Sequence, residues 1–127
     1  WVSIAEGLPA DFGFVMLTHP RAGGTAWVVP LTADRERMPP GGSLRGHRTR
    51  DGGHSWQANA SGLPDQAWNT VLRDAAAVDD ADPVGVYVGT RDGTVYASAD
   101  EGDSFQVVAE HLPDVLCVRA ALVPAGS

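Results

Sequence analysis

Three charged residues stand out by where they fall in the chain. Arg73 and Asp74 interrupt a run that reads Thr-Val-Leu before them and Ala-Ala-Ala-Val after them, and Arg119 splits Cys-Val from Ala-Ala. Charges in such apolar runs have two uses. They line a pocket, where arginine offers a planar two-pronged donor to carboxylate groups, or they pair with each other across neighbouring strands. Other reactive side chains lack a constellation. His19, His47, His54 and His111 show no zinc-ligand spacing, and His54 and His111 read as exposed. Asp79, Asp80 and Asp82 cluster before Pro83 without the glycine and trailing glutamate of a calcium loop, so they read as a solvated turn. No metal and no cofactor is expected. Tyr87 and Tyr96 lie in alternating runs where packing is the expected role. Cys117, within Val115-Leu116-Cys117-Val118, reads as a buried core thiol.

The elements that must position these residues are organised by a repeat. Trp1 to Pro9, Trp56 to Pro64 and Phe105 to Pro113 align without gaps, each with an aromatic first, alanine fifth and Leu-Pro last. Their starts lie roughly fifty residues apart, the spacing of propeller blades with several strands each. Alternating patterns place strands at Gly13–Thr18, Ala26–Leu31, Leu44–Thr49 and Ser55–Ala60 in the first unit. The second unit has them at Thr70–Val78, Val84–Thr90, Thr94–Ser98 and Ser104–Glu110. A last strand, Val115–Val123, begins a third unit and completes the first blade on ring closure. The expected fold is an all-β propeller with blades over 10–60 and 65–112 and a closing inner strand over 115–123, and no helix. Arg91-Asp92-Gly93-Thr94 is a hairpin signal. Arg73, Asp74 and Arg119 would then lie on inner strands, facing a central pocket or paired with one another. The segment Thr32–Ser43, with paired prolines and paired glycines, reads as an exposed loop that either borders a binding face or has no role. Trp68 either stacks on a sugar ring or is buried in its loop.

One motif occurs twice: Thr49-x-Asp51-x-Gly53-x-Ser55-Trp56 and Ser98-x-Asp100-x-Gly102-x-Ser104-Phe105. Each position has a reason. The carboxylate accepts hydrogen bonds from loop N–H groups that lack ladder partners. Glycine supplies a backbone angle that strains other residues, the hydroxyl adds a local bond, and the aromatic ring buries apolar area against the blade. With two boxes in register, the chain resembles the BNR (bacterial neuraminidase) or Asp-box superfamily over essentially its whole length. That superfamily includes sialidases, xyloglucan-cleaving glycosidases, sortilin-type receptors and many bacterial propellers. The resemblance implies that the boxes are structural and lie on the outer rim.

It also implies what an enzyme of this kind would need. A sialidase has an arginine cluster, a tyrosine nucleophile activated by glutamate, and a Phe/Tyr-Arg-Ile-Pro signature that this chain lacks. Arg21, Arg45, Arg48, Arg50, Arg73, Arg91 and Arg119 match no position of the arginine triad. A xyloglucanase has two facing carboxylates, for which Asp74, Asp79, Asp80, Asp82 and Asp92 qualify by type alone. Two readings stay open. One is a propeller that binds or scaffolds a carbohydrate or a protein; the other is a glycoside hydrolase with its catalytic residues mostly in other blades. A net charge of -7 argues against a nucleic-acid partner, and no segment has the length of a membrane span. The expectation is a soluble bacterial protein, cytoplasmic rather than secreted. Opening at Trp1, the chain reads as the C-terminal part of a propeller that needs its remaining blades, or self-association, to close the ring.

Overall fold

A computed structural model describes residues 4, 6, 8, 12–31, 46–59, 61–63 and 71–123. The described chain is all-β, with no helix, and forms two four-stranded antiparallel sheets. The first sheet runs in sequence order through β1 (Phe12–Thr18), β2 (Ala26–Leu31), β3 (Gly46–Thr49) and β4 (Gln57–Asn59). The second runs through β5 (Ala76–Val78), β6 (Val86–Gly89), β7 (Val95–Ser98) and β8 (Gln106–Ala109). Each is a meander, the topology that short polar turns between alternating runs favour. Thr32–Ser43, Arg45, Trp68 and the N-terminal Trp1 lie outside the described residues.

The two sheets share one register. Leu17, Trp27, Arg48 and Gln57 form a row across the first sheet. Ala77, Tyr87, Ala97 and Gln106 form the matching row across the second. Beside these rows, alternate residues turn inward: Val86 and Val88 are buried while Tyr87 between them is half-buried. A single apolar cluster, including Val15, Trp27, Val29, Val71, Val84, Val86, Tyr96 and Phe105, joins both sheets. Burying it is the main stabilising term of the fold. Gly62, with φ +84, lets the end of the first sheet close onto the second, because a Cβ there would stand 1.8 Å from the Phe105 carbonyl oxygen. The Phe105 N–H donates to the Ser61 carbonyl at 2.8 Å across that contact.

Two expectations fail here, the strand at Arg73 and Asp74 and the burial of Cys117, while the ring closure expected of Val115–Val123 involves blades other than these two. Arg73 and Asp74 lie in a turn before β5, not on a strand. Their neighbourhood cannot join the ladder because the Ala75 N–H donates to the Leu72 carbonyl (2.9 Å) and the Asp74 carbonyl is taken by the Val118 N–H (2.8 Å). Val115–Val123 pairs in neither sheet. It runs beside Thr90 and Asp74, held by the Val115 and Val118 N–H groups. Cys117 is exposed, because the residues that turn inward are Val115 and Val118, both packed over Gly89. The Asp-Gly hairpin is present: the Thr90 N–H donates to the Thr94 carbonyl (2.9 Å) and the Gly93 N–H to that of Thr90 (3.1 Å). His54 and His111 are exposed.

Candidate functional site

The two repeated loops link β3 to β4 and β7 to β8, and their hydrogen bonds match atom for atom. In the first, the Thr49 hydroxyl donates to Asp51 Oδ1 (2.8 Å) and accepts the Gly53 N–H (2.9 Å). Ser55 donates its N–H to Asp51 Oδ1 (2.9 Å) and its hydroxyl to Oδ2 (2.5 Å). In the second, Ser98 donates to Asp100 Oδ1 (2.6 Å) and accepts the Gly102 N–H (2.8 Å). Ser104 donates its N–H to Oδ1 (2.9 Å) and its hydroxyl to Oδ2 (2.6 Å). These donors favour the charged carboxylate. The Ser55 hydroxyl and N–H, with Thr49, hold Asp51 at about 2, against an ordinary 3.8. Ser104 and Ser98 hold Asp100 at about 2 likewise. Such carboxylates are fully engaged, so they shape the backbone and are ill-suited to proton transfer near neutrality. The aromatic ends differ: Phe105 is buried, whereas Trp56 is half-buried and donates its indole N–H to the Ile4 carbonyl at 2.6 Å.

The second loop is also where the sheets meet. Glu101, at a variable position of the motif, has φ 59. Its carbonyl accepts the Trp27 indole N–H and the Arg48 Nη1–H, both at 2.8 Å. Its carboxylate accepts the Val84 N–H (3.2 Å) and lies 3.3 Å from His19 Nε2. Burial alone would raise the Glu101 pKa, but Val84, His19 and Arg50 outweigh it and hold it below the ordinary range. Arg48, with a side chain 2% exposed, reaches Gln57 through Nη2 (2.9 Å) and Asp103 through the same atom (2.8 Å). His19 stacks on Trp27 at 6.0 Å, and its Nδ1 accepts the N–H groups of Arg21 (3.0 Å) and Ala22 (2.9 Å). This places the proton of the neutral ring on Nε2, aimed at Glu101. Glu101, Trp27, Arg48 and His19 are the residues that sequence reasoning missed. The one signal for them was a glutamate in a tight-turn position that the first loop fills with Gly52.

Of the three charges singled out from the sequence, the structure brings Asp74 and Arg119 together. Arg119 Nη2 donates to the Asp74 carboxylate at 3.2 Å and Nη1 to the Asp74 carbonyl at 3.0 Å, with both side chains about two-thirds exposed. Arg73 and Asp74, with Leu72 and Leu116, border a shallow recess of about 300 Å³.

No protein-family model matches the chain, and no curated protein matches it either.

The aspartate cluster is more ordered than a solvated turn. Asp79 accepts the Ala81 and Gly85 N–H groups through Oδ1 (2.9 and 2.7 Å) and the Tyr87 hydroxyl through Oδ2 (2.7 Å). Burial opposes its charged form, but these three donors prevail and hold its pKa below the ordinary value. The bond to Asp79, aided by burial, pushes the Tyr87 phenol up, which removes it further from use as a nucleophile at neutral pH. Asp80 pairs with Arg21 at 2.7 Å. Among the described residues no group of three His, Cys, Asp or Glu could hold a metal ion. No described helix is long and apolar enough to cross a membrane.

Proposed function

We propose that this chain contributes two blades to an Asp-box propeller that binds or scaffolds a carbohydrate or a protein. The observation that carries the reading is the pair of matching loop networks, each at the β3–β4 or β7–β8 corner of successive meanders in one register. Repeated corners of this kind build a scaffold, and function then resides in the side chains that the scaffold presents. The binding reading is preferred to hydrolysis because Asp79, one of the carboxylates a hydrolase could use, spends both of its oxygens on local donors. Asp74 and Arg119, with Arg73 beside them, form the ligand-facing edge; an exposed ion pair next to an apolar recess suits a polar ligand with one flat face. The pair has little value as a stabilising device at such exposure.

The test is a glycan array together with titration of the bound hits against the intact protein. Arg119→Ala is expected to weaken binding about tenfold, as loss of one charged hydrogen-bond donor does. Unchanged affinity in both Arg119→Ala and Arg73→Ala would remove this edge from the site. Turnover of fluorogenic glycosides by the wild-type protein would favour the glycoside hydrolase instead.

A further inference from the structure

The turn closed by Leu72 and Ala75 and the unladdered segment that starts at Val115 converge on the recess of about 300 Å³ lined by Leu72, Arg73, Asp74 and Leu116. Chain phase explains this lining. Val115 and Val118 turn inward over Gly89, so Leu116 between them faces out and is 63% exposed. Leu72 packs partly against the core, whereas Arg73 and Asp74 are exposed. Two leucines, one cation and one anion make a wall that is half apolar and carries no net charge.

The polar part of the wall is held in place. The Asp74 carbonyl accepts the Val118 N–H (2.8 Å) and the Arg119 Nη1–H (3.0 Å). Nη1 also donates to the Val118 carbonyl (2.8 Å), and Nη2 to Asp74 Oδ1 (3.2 Å). An arginine bonded in this way has lost rotamer freedom before any ligand arrives, which lowers the cost of binding. Its Nε–H and one Nη2 hydrogen stay unused among the described residues, as does Asp74 Oδ2. A fixed acceptor and a fixed donor therefore stand side by side. Adjacent hydroxyl groups of a sugar ring are their complement, one donating and the next accepting, while the C–H face of the ring suits the leucines. An acid fits less well, because Asp74 already neutralises Arg119 and repels a second carboxylate. A protein partner fits less well too, since four lining residues fall far short of the roughly 20–30 that each side of a standard interface contributes.

We propose that this recess takes a neutral pyranose ring, with Asp74 Oδ2 accepting from one hydroxyl, Arg119 donating to its neighbour, and Leu72 and Leu116 lying against the C–H face. This rests on the ligand-facing edge proposed above and narrows its ligand to an uncharged sugar with adjacent hydroxyl groups. Loss of either hydroxyl leaves a charged group unmatched, so discrimination comes from the pair.

Saturation-transfer NMR titration of the full chain with the methyl glycosides of glucose, galactose and mannose, and with methyl glucuronide as the anionic counterpart, tests it. At least one neutral glycoside should bind, and more tightly than the glucuronide. Asp74→Asn and Arg119→Gln should each weaken that binding about tenfold. Asp74→Asn, which removes the anion beside Arg119, should also reverse the preference in favour of the glucuronide. Both side chains are about two-thirds exposed, so the substitutions leave the core untouched, and circular dichroism confirms that each variant is folded. A wild type that prefers the glucuronide, or that binds only a protein through Arg119, keeps the edge as a ligand site but overturns the neutral-sugar assignment. No binding of the three neutral glycosides overturns it as well. Binding that neither substitution alters removes the edge and the assignment together.

Discussion

Between the Asp and the Gly of the repeated motif, the first loop has Gly52 and the second has Glu101, and the consequences extend across the molecule. Gly52 turns through φ 72 and contacts nothing with its side, whereas Glu101 makes the same turn at φ 59 and joins five residues of other elements. The hydrogen bonds around Asp51 and Asp100 hardly differ. Local chemistry therefore fixes the shape of each corner, and the residues the motif leaves unspecified decide whether that corner also fastens one sheet to the next.

The sharpest way to break this comparison is at the paired row positions. Trp27→Ala should cost about 3–5 kcal/mol, because the ring is buried and its indole N–H holds the Glu101 carbonyl. Tyr87→Ala, at the same row position of the second sheet, should cost about 1–2 kcal/mol, since only part of its apolar area is buried. Equal losses in urea denaturation would mean that the junction adds nothing at the first sheet's row position. Next comes the carboxylate itself. Asp100→Ala should destabilise more than Asp51→Ala, the difference being the junction contacts that the second loop alone supports. Both can be read from denaturation midpoints, and a larger effect at Asp51 would reverse the assignment.

Glu101→Gly makes the second loop resemble the first. It removes the contacts to His19 and the Val84 N–H but relieves a left-handed backbone at a non-glycine residue, so the net loss should be about 1 kcal/mol. Thermal unfolding of the variant checks it; a stabilised protein would show that the backbone angle outweighs the contacts. The smallest effect is acid sensitivity. Asp51 and Asp100 are held at about 2 in the folded chain against 3.8 ordinarily. Their contribution is thus complete above about pH 4 and is lost as pH falls through 2. A melting temperature that declines across that window in the wild type, and less so in a doubly substituted Asp51→Asn, Asp100→Asn protein, is the expected result.

Much of the first-order architecture was legible in the residues. Ala26–Leu31 forms a strand with the bounds its alternation implies, and the Asp92-Gly93 turn closes as its type demands. What escaped was whatever depends on tertiary competition for main-chain groups. The run from Val71 to Ala75 has strand composition, yet the Leu72 carbonyl and Ala75 N–H close a turn on each other. Val115–Val123 is apolar enough for a strand, but among the described residues it is held by the Val115 and Val118 N–H groups and joins no ladder. Cys117 lies one residue short of the inward position at Val118, and composition alone carries no phase at an irregular segment. The Asp74–Arg119 pair was visible as two misplaced charges; the junction was not, because its key atom is a main-chain carbonyl, which every residue has.

The left-handed angle at Glu101 has a last consequence, for the order in which the chain acquires structure. A non-glycine residue in that region costs on the order of 1 kcal/mol, and at this corner the compensating donors Trp27 and Arg48 belong to the other sheet. A second sheet forming by itself bears the cost without the return. Its corner should therefore fray until the first sheet arrives, and the two meanders should melt in one transition where independent repeats would melt in two.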